Sequence, residues 1–143
     1  MTDALRAHGF RADVSDVSFG PIGTGQMADS FRIQLTYAGS RESDPAPPSS
    51  VVLKMHAEDP LSREAGRGGA YGSEVRFYTK LAPTLSVRAP ACFYASLPDE
   101  SHRFALLLDD PAPAEQGDQL EGCSVKQARA AVINLAGLHG PRW

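Results

Sequence analysis

Apolar and polar positions change period several times along this chain, and the changes mark out its elements. Phe31, Ile33, Leu35 and Tyr37 alternate with Arg32, Gln34 and Thr36, a period of two that predicts a half-buried strand. Val14, Val17 and Phe19 precede it and predict a strand running into a cluster of glycines. VVLKM (51–55) is a short apolar run suited to a central strand. Between these lies AGSRESDPAPPSS (38–50), rich in Ser and Pro, which reads as a flexible surface loop. At the start, residues 2–8 predict a short helix with Thr2 as N-cap and Gly9 as its stop.

The second half shifts toward helical spacing. AEDPLSREAGRGGA (57–70) reads as a second loop loosened by Gly66, Gly68 and Gly69. Over 70–82, Tyr71, Val75, Tyr78 and Ala82 recur on one helix face, Phe77 and Leu81 widen it, and Pro83 closes it. CFYASL (92–97), PDES and HRFALLLDD (102–110) predict a hairpin with a four-residue turn. The last helix carries a Ser124–Gln127 capping box and an apolar face of Val125, Ala128, Val132, Leu135 and Ala136, and ends at Gly140-Pro141 with Gly140 as its cap. The order is strand, glycine loop, strand, strand, helix, hairpin, helix, an antiparallel α+β arrangement.

Composition narrows the class. With 143 residues, the chain is the size of one domain. A net charge of −3 offers no basic field for nucleic acid or an anionic membrane. No apolar run approaches the roughly 20 residues of a membrane span, and the N-terminus lacks a signal-peptide core. Cys92 and Cys123 are far apart, and His8, His56, His102 and His139 stand at no ligand spacing, so neither a disulfide framework nor a zinc site is indicated. A cytoplasmic setting is the natural expectation.

The glycines raise the question of phosphate chemistry. A dinucleotide fingerprint needs a helix directly after them, whereas here a strand follows. A Walker loop needs Gly-Lys-Ser/Thr, and Gly25 is followed by Gln26-Met27. The strand–loop–strand of kinases remains: Gly23-Thr24-Gly25-Gln26-Met27-Ala28 fits G-x-G-x-x-G with Ala28 in place of the last glycine. A plain hairpin turn uses the same glycines.

Two further residues favour the kinase reading. Lys54 interrupts an otherwise apolar strand, where an unpaired ammonium is costly to bury. The bland account is an edge strand with its lysine in solvent. Glu74 shares the inward edge of the following helix with Phe77, Tyr78 and Leu81; its bland account is a boundary carboxylate paired with Arg67 or Lys80. A kinase needs a strand lysine and a helix glutamate in this order.

On these motifs the chain resembles the N-terminal lobe of the aminoglycoside-phosphotransferase-like kinases, most closely the ecdysteroid-kinase-like and choline-kinase-like branch. The matching stretches are GTGQMADSFRIQLTY, SSVVLKM, SEVRFYTKL, FALLLDD and LAGLHGPRW, spanning about 14–143. The resemblance implies a kinase-like lobe over 1–110, with its glycine-rich loop at 20–28, and a hinge plus first helix toward a C-terminal lobe over 111–143. It implies ATP as ligand: Gly23, Thr24, Gly25, Gln26, Met27 and Ala28 cover the triphosphate, Lys54 contacts the α- and β-phosphates, and Glu74 orients it. Leu108, Asp109 and Asp110 begin the hinge whose backbone meets adenine. Asp109 and Asp110 also look like a Mg²⁺ pair, but the family has its hinge there.

The chain departs from the family where catalysis is seated. The family's catalytic aspartate, in a His-Gly-Asp loop, and its Mg²⁺ ligands lie in the C-terminal lobe; at His139-Gly140 the next residue is Pro141. The expectation is therefore the nucleotide-binding half of an ATP-dependent small-molecule O-phosphotransferase that stops before its catalytic half, inactive alone, with Mg²⁺ engaged only when a separate C-terminal-lobe chain is supplied. The alternative is a non-catalytic remnant lobe that binds a protein, or itself, through the surface such a lobe would cover, with Leu106, Leu108, Val132, Leu135 and Trp143 as candidates. A third reading is an α+β domain whose glycine loop is a turn.

Overall fold

The computed structural model describes residues 1–23, 27–39, 45–115, 117–118 and 120–142, apart from the side chains of Ala65, Arg67 and Arg142. Helix α1 (Thr2–Ala7) is followed by strands β1 (Asp13–Pro21), β2 (Ala28–Ala38) and β3 (Ser50–His56), then helices α2 (Pro60–Arg67) and α3 (Ala70–Arg76). Strands β4 (Cys92–Ser96) and β5 (Ala105–Asp109) and helix α4 (Val125–His139) complete the order. The five strands form one sheet in the order β1-β2-β3-β5-β4, antiparallel at every pairing. The expected α+β class is therefore observed. No helix among the described residues is long and apolar enough to cross a membrane.

Period two in β2 becomes two sheet faces. Ile33, Leu35 and Tyr37 point to one face with Val51, Phe93 and Leu107, and α1 covers them through Leu5. The other face gathers Ala28, Val52, Leu106 and Leu108 with Phe104, under Tyr71 and Val75 of α3. The odd spacing of Val14 and Val17 is resolved by a register shift between Val14 and Asp16, so that Val14, Val17 and Phe19 oppose Tyr37, Leu35 and Ile33.

Several boundaries differ from the sequence reading. Thr2 lies inside α1 and its hydroxyl accepts from the Val14 amide (3.1 Å), tying the helix to β1. The stop at Gly9 holds: Gly9 has φ +88°, its amide donates to the Arg6 carbonyl and that of Phe10 to the Leu5 carbonyl, a Schellman ending whose Leu5 and Phe10 both join the core. The stretch expected as a loop at 57–70 contains α2. Asp59 caps it by accepting from Ser62 N (2.8 Å), and Pro60 starts it.

Helix α3 runs on through a π turn (Phe77–Leu81) and a 3₁₀ turn (Ala82–Thr84) that includes Pro83. There the Thr79 hydroxyl donates to the Val75 carbonyl (2.8 Å), competing with the backbone pairing of a regular helix. The β4–β5 connection is longer than four residues. Asp99 organises it by accepting from the amides of Ser101 (2.9 Å) and Arg103 (2.8 Å).

Helix α4 keeps its capping box, but Gly140 is right-handed and leads into a 3₁₀ turn rather than ending the helix in a left-handed cap. Its docked side is also not the expected one. Asn134 accepts from Arg88 N (2.8 Å) and donates to Arg88 O (3.4 Å), while Ser86 N donates to Gly137 O (3.1 Å). Val125, Val132 and Leu135, placed on the apolar face in sequence, are exposed.

Candidate functional site

The pairing register places the polar residues of the sheet in rows on the α3 face. Ser18, Gln34 and Ser50 form one row; Gly20, Arg32, Val52 and Leu108 the next; Ser30, Lys54 and Leu106 a third, nearest the glycine hairpin. Lys54 therefore stands on a strand flanked by β2 and β5, which removes the edge-strand account. Its Nζ donates to Glu74 Oε1 at 2.7 Å, the two side chains being 29% and 28% exposed. Glu74 is brought there because α3 crosses this face with Tyr71 and Val75 buried beneath it. Tyr78, one turn beyond Glu74, has its phenol pKa raised, first by burial and then by the Glu74 carboxylate.

An ion pair of this exposure contributes only about 0.2–1 kcal/mol. The pair therefore adds little to stability by itself. Glu74 takes one of the three N–H donors of the ammonium.

A second acid–base group closes the far end of the same face. Arg32 grips Asp110 through Nε (2.7 Å) and Nη2 (3.1 Å), and Ser50 Oγ donates to Asp110 Oδ2 (2.7 Å). The Asp110 side chain is 4% exposed. Burial pushes its pKa up, but the hydrogen bonds from Arg32, Ser50 and the Ala112 amide, with the guanidinium charge, hold it below the usual carboxylate range. The carboxylate is thus committed to anchoring the end of β5 on β2 and β3. Among the described residues no group of three or more His, Cys, Asp or Glu gathers as metal ligands.

Over β1 and β2, beside Arg32, a shallow cleft of about 250 Å³ is lined by Ser18, Gly20, Ile22, Arg32 and Gln34, with Phe19 and Pro21. Gly20, expected in the glycine loop, belongs to β1 and pairs with Arg32. A Cβ built on it meets nothing within 4 Å, so the fold itself does not demand a glycine there.

Where β1 leads toward β2, Ile22 N donates to Ser30 O (2.9 Å). Gly23 has φ +73°, a left-handed conformation suited to glycine. Thr24, Gly25 and Gln26 lie outside the described residues, as do 40–44 of the 38–50 loop and Trp143. Met27 follows the loop with its side chain exposed, and Ala28 is buried in the α3-side core.

The expected hinge residues divide. Leu108 is inside β5, buried, and flanked by β3 and β4. The amide of Asp109 donates to Ala91 O (2.8 Å), and Asp110 is the first residue past the strand. Leu106 and Leu108, taken in sequence for an uncovered surface, are instead core: β5 lies inside the sheet and α3 covers that face. The sequence reading missed the Arg32–Asp110–Ser50 group and Tyr71, whose hydroxyl donates to the Met27 carbonyl. The Arg32 pairing joins residues 78 apart and had no local signal.

No family model matches the chain, and no curated protein matches it.

Proposed function

We propose that this chain is the nucleotide-binding lobe of an ATP-dependent small-molecule O-phosphotransferase. The observation that carries the reading is the Lys54–Glu74 pair, a lysine on a central strand held by a helix carboxylate on the sheet face below the glycine hairpin. The strand order β1-β2-β3-β5-β4, with a helix between β3 and β4, supports it, because that layout puts hairpin, lysine and glutamate on one face.

The residue chemistry that supports an anionic, ATP-like ligand is an ammonium held by a carboxylate near an open patch of the sheet. The cleft sits where Gly20 leaves room, and Lys54 presents an ammonium whose position Glu74 sets. In this reading Lys54 meets phosphate oxygens, the hairpin amides cover them, and the chain beyond Asp110 flanks the base. ATP bound there would supply the transferable phosphoryl group, with Mg²⁺ to neutralise its charge. The base that accepts the acceptor alcohol's proton, and the Mg²⁺ ligands, would come from a complementary lobe.

Calorimetric titration of Mg-ATP into the whole chain and its Lys54→Ala variant tests this. Saturable binding is expected, and loss of a charge-assisted hydrogen bond worth about 1.5–3 kcal/mol weakens it about tenfold or more. Equal affinity in the two proteins, or no binding at millimolar nucleotide, defeats the reading. A second reading, a non-catalytic lobe that binds a protein partner, is favoured by the exposed Val125, Val132, Ile133 and Leu135 of α4. Absence of nucleotide binding would select it.

A further inference from the structure

Tyr71 is 2% exposed and stacks on Phe104 with ring centroids 4.3 Å apart. Core packing of that kind needs only a phenyl ring. The hydroxyl is directed instead to the backbone carbonyl of Met27, the residue that leads from the glycine hairpin into β2. Helix α2 is shaped around the same ring: a Cβ placed on Gly66 would fall on the Tyr71 ring and its hydroxyl. Three residues along the same helix from Tyr71 stands Glu74, the partner of Lys54. One short helix therefore holds both the arm of the hairpin and the carboxylate that sets the lysine.

From this geometry we infer that Tyr71 is a positioning residue that couples the glycine hairpin to the Lys54–Glu74 pair. A movement of α3 that carries Glu74 away from Lys54 also withdraws the hydroxyl from Met27. The Met27 end of β2 is then freed as the lysine loses its partner, so the strand entry and the lysine are set or lost together. The functional half of this inference rests on the nucleotide-lobe reading; the mechanical half, that the hydroxyl holds the hairpin, does not.

The test is Tyr71→Phe in the whole chain, which keeps the ring on Phe104 and removes only the hydroxyl. Amide hydrogen exchange is followed without nucleotide, and Mg-ATP affinity is followed by calorimetry. The expected result is exchange about fivefold faster at Met27, Ala28 and Asp29, beyond any change shared by α3 and β5, with at most a small fall in unfolding midpoint. Mg-ATP affinity is expected to fall about fivefold. Hairpin amides at wild-type rates would overturn the inference. So would faster exchange spread equally over α3 and β5, which marks a plain core residue, or a loosened hairpin with unchanged affinity. If the wild-type chain binds no Mg-ATP, the nucleotide-lobe reading falls by itself, and the exchange comparison still decides whether Tyr71 holds the hairpin.

Discussion

Lys54, Gly20 and Asp110 show how single positions on one sheet face divide between ligand and fold. Gly20 is not left-handed and its missing Cβ would meet no protein atom, so a β-branched residue suits the strand there. Gly20→Val should therefore leave the unfolding midpoint unchanged or raised while weakening Mg-ATP binding, because the side chain enters the cleft. Calorimetry beside thermal melting checks both halves, and a variant that binds as well as wild type would separate the cleft from the nucleotide. Asp110 belongs to the fold. Its folded pKa is depressed below an unfolded value of about 3.9, so its stabilisation is complete above that pH and is lost as pH falls through the folded value. Melting curves from pH 6 down to about 2 should show Asp110→Asn starting less stable and losing less to acid than wild type. Parallel pH profiles would mean that other carboxylates dominate acid unfolding.

At the scale of elements, the local signals that were read correctly are those confined to one turn or one strand. The capping box of α4, the alternation of β2 and the Gly9 stop of α1 each depend on residues within a few positions of each other. Helix α2 was missed although Asp59-Pro60 announces it, because three nearby glycines outweighed one cap in a composition-based reading. In helix α4 the stripe of Val125, Val132 and Leu135 is exposed, and the docked side is the one bearing Asn134 and Gly137. A Cβ on Gly137 would lie 2.6 Å from the Ser86 carbonyl and 2.7 Å from Val87 N. Gly137→Ala raises intrinsic helicity by about 1 kcal/mol, yet it should release α4 from the 85–88 segment. Faster proteolysis in the 111–124 connection, with the sheet's exchange protection intact, is the expected outcome; unaltered cleavage would show that α4 is held by other contacts.

Over the whole molecule, two cores share one sheet but serve different ends. The α1 side is a packed layer of Leu5, Ile33, Leu35 and Phe93, with the rings of His8 and Phe10 edge-on to Phe93. The α3 side is packed at the Leu106 end and open at the β1–β2 end, and the charged groups lie at the border between these regions. The cleft over β1 and β2 and the exposed apolar stripe of α4 are carried by different elements. Under the proposed function, nucleotide affinity rests on Lys54 and association with a partner rests on α4, so the two are separable properties.

By itself the sequence determined the strands with clear alternation, the capped helix, the order of the strands and the candidacy of Lys54 and Glu74, because periodicity and short-range hydrogen bonding are written in neighbouring residues. Tertiary structure decided that Lys54 is central and paired with Glu74, that Leu106 and Leu108 are core, that Asp110 anchors a strand end, and that Tyr71 reaches the hairpin. Each of these depends on strand order and on which helix crosses which face. Those are set by the joint packing of segments distant in the chain, and no local pattern encodes them.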